Sequence, residues 1–403
     1  MCLQIPGGWL ADRFGGRWFC GGSVLFSAVM ALLTPVAART HIVILVCLRV
    51  IAGLGQGAFL PSVQTILAQW SQPKYRSAIV AINISGFDVG AVAGMLLAGV
   101  LCEYGFAGGW PSVFYVFGMA GCLWTGAWFL LCYSSPSTHP WISNAELQYW
   151  EREIGTVTLT ARPPTPWTKI LTSGPVWALT AVFFAESWGY LTLQTCLPLF
   201  AHDVLGYDIV ANGFVSALPF LILVPLSPSF GCLADWLRAP GRLSTNLVRK
   251  AYVVIGSAIY GCSLIFITYT GCIRAVAVLL ICLATSGSAF LFPACVANLH
   301  DLAPLHAGKL AGLAKAVSAL AAIGGPLVVG EVTEQNSTRE QWRVVFFLAA
   351  AVYAVAAVVF VVFGSVDRQS WAEPIVNDDE MTLQIADETA NKTADSAPGN
   401  ATE

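Results

Sequence analysis

Long apolar stretches separated by short polar ones set the pattern of this chain. They fall near 18–37, 42–68, 78–101, 112–133, 174–200, 211–234, 250–270, 274–298, 308–331 and 342–364. A helix of roughly 20 apolar residues crosses the hydrocarbon of a bilayer. In lipid, the backbone must satisfy its own polar groups, which a helix does. The pattern therefore predicts an all-α integral membrane protein with about ten spans. One long polar stretch, 134–173, divides the spans; it carries Pro136, Pro140, Pro163, Pro164 and Pro166. The end of the chain holds Asp378, Asp379, Glu380, Asp387 and Glu388 with few apolar residues, a composition that cannot form a core. The predicted organisation is an N-terminal helical bundle at 1–133, a cytoplasmic central loop at 134–173, a C-terminal helical bundle at 174–365 and a disordered cytoplasmic tail at 366–403.

Composition narrows the function. Hydrophobic residues make up 56% of the 403 and charged residues 11%, against roughly 45–50% and about 25% in soluble domains. So few charges cannot cover a water-facing surface. A net charge of -3 excludes a basic nucleic-acid binder. The twelve cysteines show no CxxC or Cys/His spacing, so no metal site and no disulfide scaffold is expected. No HExxH, GxSxG or phosphate-loop motif is present, and an enzyme is not expected.

Orientation follows from the basic residues. One set of alternate loops holds Arg13, Arg17, Lys74, Arg76, Arg152, Arg162, Lys169, Arg238, Arg242, Arg249 and Lys250. The other holds Arg39, Arg274, Arg339 and Arg343. The first set is predicted to be cytoplasmic. The sequon Asn336-Ser337-Thr338 then falls on the outside.

The chain repeats itself. Gly8-Trp9-Leu10-Ala11-Asp12-Arg13 returns as Gly231-Cys232-Leu233-Ala234-Asp235-Trp236. Ala58-Phe59-Leu60-Pro61 returns as Ala289-Phe290-Leu291-Phe292-Pro293. A duplicated half is the expectation. Two spans precede the second Leu-Ala-Asp signature, and almost nothing precedes the first. The expected architecture is therefore six plus six, with the first two of twelve spans missing from this sequence.

The segment Gly7 to Arg17, GGWLADRFGGR, resembles the loop motif of the major facilitator superfamily. Its glycines allow a tight turn between helices, and a carboxylate at a helix N-terminus is favoured by the dipole. Arg13 and Arg17 are expected to face water or anionic lipid. The resemblance implies that Asp12 braces a neighbouring helix and helps gate the exchange, with Gly8, Arg13, Gly16, Arg17 and the repeat residue Asp235. A narrower set runs in order along the chain: Gln4 to Gly8, Arg49 to Gly57 (RVIAGLGQG), Arg76-Ser77, Trp110 to Tyr115, Asn298 to Pro304 (NLHDLAP) and Gln369 to Ala372. This resembles the anion:cation symporter family, which includes type I sodium/phosphate cotransporters, sialin and vesicular glutamate transporters. It implies a two-bundle fold and transport of a small anion by alternating access, with a sodium ion, a proton or the membrane potential as the driving partner. Arg76, Asn298 and Asp301 belong to the implied gating set.

Charges inside spans mark the candidate site, because each is costly in hydrocarbon. Arg49 matches the family arginine implicated in anion transport, and its planar fork suits carboxylate or phosphate; a structural pairing is the alternative. Gln56 shares its helix face. Some family members carry a coupling glutamate there, which Gln cannot replace as a titrating group. Glu186 is a proton or cation acceptor, or a structural partner of Arg49 or Lys315. Vesicular glutamate transporters carry arginine at its position, which disfavours glutamate as substrate. Asp88, a further candidate for coupling to a proton or cation, lies mid-span among Gly86, Gly90 and Gly94, whose spacing predicts a close helix approach. Lys315 could meet an anion or neutralise Glu186. Trp188 and Tyr190 line the path or pack in the core. His300, displaced by one position from the family order, is expected to be a wet helix-end residue.

The leading reading is a secondary transporter of an inorganic or organic anion, phosphate-cotransporter-like or sialin-like, in a plasma, vesicular or lysosomal membrane. The alternative is a receptor or scaffold that keeps the fold without transport. A small anionic solute and the lipid bilayer are the expected partners, nucleic acid is not, and the chain is expected to be a monomer.

Overall fold

The computed structural model describes residues 15–70, 76–133, 139–143, 146, 166–238, 242–270, 273–303, 307–334 and 337–372. The described secondary structure is helical: α1 Gly16–Thr40, α2 Ile42–Gln56, α3 Phe59–Trp70, α4 Arg76–Tyr104, α5 Trp110–Leu131, α6 Trp167–Leu171, α7 Gly174–Asp203, α8 Ile209–Leu237, α9 Thr245–Ile267, α10 Arg274–Leu302, α11 Ala307–Thr333 and α12 Arg339–Phe363. Among the described residues, nine helices are long and apolar enough to cross a membrane. Local signals start several of them. Asp208 accepts the Ala211 amide at 2.7 Å to cap α8, and Ser244 accepts the Leu247 amide to cap α9. Thr338 and Gln341 form a capping box on α12, so orphan amides at these starts find side-chain partners.

One expected span differs. The run 42–68 reads as a single apolar helix, but the structure breaks it between Gln56 and Phe59. There the Gly57 amide bonds the Leu54 carbonyl in a tightened last turn. Gly55 and Gly57 weaken helix propagation. Pro61 follows at the start of α3, where a missing amide proton costs nothing.

The lipid-facing side is plain in the burial. Leu320, Ile323 and Leu327 on α11 are each more than 60% exposed, and so are Val355, Val358 and Val362 on α12. In water such stripes would drive association; against lipid tails they are the solvated face.

The helices pack as two groups. In the first, α1 packs on α5, α2 and α3. In the second, α9 packs on α10 and α12, and α7 packs on α11 and α12. The contacts of α1 with α2, α3 and α5 mirror those of α9 with α10 and α12, as the repeated sequence strings predict. The groups meet where α4 runs along α8. The helices touch backbone to backbone there: a side chain on Gly213 would lie 2.9 Å from the Met95 carbonyl and 3.2 Å from Gly99 Cα. The close approach expected at Gly86, Gly90 and Gly94 is not made, since open space lies where their side chains would be. It falls instead at Gly99, five residues further along α4.

The end of the molecule bearing the richer set of basic residues is locked by charge. Arg249 is only 2% exposed, although the sequence placed it in a solvated loop; its helix starts earlier, at Thr245. Its Nε donates to Asp301 Oδ2 at 3.1 Å, and its second nitrogen lies 3.1 Å from the same oxygen. Arg238 approaches Asp301 at 3.9 Å and Asp235 at 3.7 Å. This joins the ends of α8 and α10 to the start of α9. Asp235 itself is exposed. The Gln369 amide bonds the Leu302 carbonyl at 3.0 Å, Ser173 approaches Gln369 Oε1 at 3.5 Å, and Trp371 packs on the core that fully buried Ile170 also enters. The tail expected from 366 therefore begins with a folded stretch; residues 373–403 lie outside the described residues.

Three outcomes follow from this packing. Gly213→Val should lower stability by about 1–3 kcal/mol through overpacking, read as a drop in melting temperature of the detergent-purified protein. Gly231→Val, where the space is open, should leave it nearly unchanged. Asp301→Asn strands the buried Arg249 and should cost roughly 3 kcal/mol or more; an unaltered melting temperature would show that Arg249 finds another partner.

Candidate functional site

Polar groups converge at mid-depth where the two helix groups meet. Asp88 lies twelve residues into α4 and Glu186 twelve residues into α7, each roughly 18 Å along its helix at 1.5 Å per residue. Tyr190 is one turn beyond Glu186 and shares its face. Its hydroxyl donates a 2.8 Å hydrogen bond to Asp88 Oδ1. That bond ties the second helix group to the first. The Tyr190 ring is set edge-on to Phe220 of α8, centroids 5.4 Å apart, so packing fixes the direction of the hydroxyl.

Glu186 is 9% exposed. Lys315 of α11 and Asp88 are the charged groups that act on it. The Lys315 ammonium lies 5.7 Å from the centre of the Phe183 ring on α7 and 5.9 Å from Phe292 on α10, within the distance at which ring faces attract a cation. Lys315 nevertheless remains exposed. The arrangement is a fixed cation on an aromatic bed, open to an incoming anion, with Glu186 behind it. Of the partners foreseen for Glu186, Lys315 shares its surroundings, but among the described residues no direct ion pair joins the two.

Arg49 lies elsewhere. It is exposed on α2, roughly 10 Å from the end of the helix opposite the basic end of the molecule. Its guanidinium sits 5.0 Å from the Phe114 ring centre on α5. Thr34, Leu45, Val46, Trp110 and Phe114 line an open groove of about 560 Å³ around it. Gln56, exposed at the far end of the same helix, borders the break before α3. The structure thus brings Asp88, Glu186, Tyr190 and Lys315 together and leaves Arg49 and Gln56 apart from them. Trp188 faces α11, where its ring rests on Gly324, and packs against the core of the second group.

The motif residues divide similarly. Gly8, Asp12 and Arg13 lie outside the described residues, as does Asn336 of the sequon. Arg76 opens α4. Gly16 is buried, and a side chain there would strike Ile66 of α3. Arg17 is pinned rather than extended into water: it donates to the Phe129 carbonyl, its guanidinium stacks 4.4 Å from the Tyr133 ring centre, and its own carbonyl accepts the Trp128 indole at 3.0 Å. Asn298 is fully buried, and neither its amide nitrogen nor its oxygen finds a partner. The sequence reading missed Phe183 and Phe292, which hold Lys315, and Arg249, which holds Asp301. The signal for Phe183 was its spacing, one turn before Glu186. Phe292 carried none, being one aromatic among many in an apolar run.

Comparison with known proteins agrees with this geometry. The family model described as Major Facilitator Superfamily matches residues 1–244 and 239–381. A protein named putative inorganic phosphate cotransporter from Drosophila ananassae is 36% identical over 389 residues, covering 96% of this chain and 80% of that one. Vesicular glutamate transporter 2 of Homo sapiens is 34% identical over 401 residues, covering 96% and 68%. Among solved structures, a bacterial homologue of the human lysosomal transporter Spinster, inward-facing and unoccupied, superposes with a TM-score of 0.68 at 15% identity, covering 90% of this chain and 87% of that one; it supports the fold. A two-group helical membrane fold, matched along nearly its whole length by one family and by relatives above 30% identity, makes this multi-pass membrane protein a member of the Major Facilitator Superfamily, alongside its phosphate cotransporters and vesicular glutamate transporters.

Proposed function

We propose that the protein is a secondary transporter that moves a small inorganic or organic anion across a membrane by alternating access. The observation that carries this reading is the exposed Lys315 ammonium on its bed of Phe183 and Phe292, inside the second helix group and near Glu186. An ammonium offers three hydrogen-bond donors and a compact charge. In an apolar setting that charge attracts an anion far more strongly than it would in water. The names of the relatives point to the same substrate class.

The halves of the transporter are 1–133 and 174–365, joined by 134–173. The Asp88–Tyr190 bond crosses between them. Rocking of one half against the other, about the glycine contact of α4 and α8, would break that bond and open the opposite side. Arg49 in its groove is a second station for the anion, nearer the opposite end. Glu186 beside Lys315 disfavours a substrate with two carboxylates, because the second would meet a like charge. Gly8, Asp12, Arg13, Arg17, Arg76, Asp235, Asn298 and Asp301 serve the gate at the basic end, and the chain acts as a monomer without catalysis.

Uptake of labelled phosphate, urate, sialate and glutamate into proteoliposomes, with and without sodium and a pH gradient, tests the reading. Lys315→Gln should reduce uptake about 10- to 100-fold, the scale of a lost hydrogen bond to a charged group at roughly 1.5–3 kcal/mol. Arg49→Ala should reduce it as well. Full uptake by Lys315→Gln would remove the ammonium from the path, and no uptake of any anion by the intact protein would sink the proposal. Tyr190→Phe should shift the balance between inward and outward states about tenfold, read from distances between spin labels on the two halves. An unchanged distance distribution would make the Asp88 contact incidental.

A further inference from the structure

The repeat that doubles the helix groups also doubles a contact at the basic end. Trp70 is the last residue of α3 and Leu302 the last of α10. Each stands nine residues past the proline of the recurring string, Pro61 and Pro293. Both tips are tied by the chain that leaves the last helix of their own half. In the first half the Trp70 indole donates to the Tyr133 carbonyl at 2.9 Å, just past the end of α5. In the second the Gln369 amide donates to the Leu302 carbonyl at 3.0 Å, shortly past the end of α12.

The second tie is the more elaborate. The Asp367 amide donates to Ser365 Oγ at 3.0 Å, and the Gln369 side chain donates to the Asp367 carbonyl at 3.1 Å, so the stretch after α12 holds its own shape. Ser173 stands at the start of α7, yet its hydroxyl caps nothing there and lies 3.5 Å from Gln369 Oε1. Trp371 packs on the neighbouring core, where Ile170, Leu302 and Ala303 are fully buried. A helix leaves its last four carbonyls without partners of its own. That of Leu302 is out of reach of water and finds its partner in the Gln369 amide. The stretch therefore joins α10, whose Phe292 faces Lys315, to α7, which carries Phe183, Glu186 and Tyr190.

The contact between the halves lies on the other side of Asp88. Gly99 faces Gly213 there, and Val92, Met95 and Leu96 pack with Ala217, Phe220 and Leu223. At the basic end, the ion pairs of Arg238 and Arg249 and the bonds of Trp70 and Gln369 each stay within one half. We propose that residues 364–372 form a strap that holds the tip of α10 back against the root of α7 and so keeps the basic end open. Release of the strap lets the tip lean across to the first half and close that end. While the strap is seated, the Leu302 carbonyl is paired and Trp371 is packed. A tip that leaves it gives up both, and a buried acceptor without a donor is costly. That difference between the two arrangements biases the balance toward the open one. The Trp70–Tyr133 bond is the matching tie on the first half. The consequence for closure rests on the proposed rocking of the halves.

The test uses the full chain in detergent without any transported anion. Spin labels on unnatural amino acids, at the exposed positions of Leu131 on α5 and Leu247 on α9, report the distance across the basic end. Gln369→Pro removes the donor amide, and Trp371→Ala removes the packing. Each should raise the short-distance population about tenfold, the scale of one buried hydrogen bond lost, and Trp371→Phe should restore the original distribution. The pair Ser173→Cys, Gln369→Cys serves if those variants do not fold. Reduced, it lacks the Ser173–Gln369 contact and should show the short distances; oxidised to the disulfide, it should lose them. A lower melting temperature with unchanged distances would reduce the strap to a brace and overturn the proposal. So would a shift to longer distances, or an oxidised pair that closes as freely as the reduced one. Uptake plays no part in the readout, so a failure of transport leaves the strap standing, and unchanged distances in the strap variants leave transport standing.

Discussion

The cost of holding charge away from water governs this molecule. Hydrocarbon offers no dielectric screening and no hydrogen bonds, so every ionisable group inside a span must find a partner or a use. Asp88 has its partner in the Tyr190 hydroxyl, from the other half of the molecule. Glu186 is buried on α7, with Lys315 the opposite charge that acts on it but, among the described residues, no direct ion pair between them. Lys315 is steadied by two aromatic rings while its outer side stays open. These placements define a polar centre at the seam, and the surrounding helices exist to hold it there.

The seam is built to let that centre change. Where α4 and α8 meet, glycine faces glycine at Gly99 and Gly213, while Val92, Met95 and Leu96 pack against Ala217, Phe220 and Leu223 further along. The polar link across it is the single bond found between Tyr190 and Asp88 among the described residues. The basic end is different. Arg249, Arg238, Asp301 and Asp235 bind three helix ends of one half together, and the stretch around Gln369 and Trp371 closes the same base. A tied base within one half and a close glycine contact between the halves are the features that the proposed rocking motion calls on.

Some of the site was legible beforehand because charge is rare in apolar runs. Asp88, Glu186 and Lys315 stand out one by one against their neighbours, and the structure unites them. Arg49 stands out equally, yet it faces Phe114 in a separate groove. Hydropathy marks that a residue is unusual but not which way its helix turns it. Tyr260 and Tyr353 gave no signal, since a tyrosine in an apolar span reads as packing. They come from two helices, 93 positions apart in the chain by their numbers, that stack the rings and place both hydroxyls at one glycine.

The sequence by itself determined the class of the fold and most helix limits, because span length and backbone satisfaction are local demands that any twenty apolar residues must meet. It also determined the repeat, through short strings that recur in order, and it marked the expensive charges. Only the tertiary structure decided the break at Gly57, the shift of the close helix crossing from Gly94 to Gly99, the burial of Arg249 and the company that Glu186 keeps. Those outcomes depend on rotation about each helix axis and on which neighbour lies alongside. Nearly uniform apolar faces leave both unspecified until the helices pack.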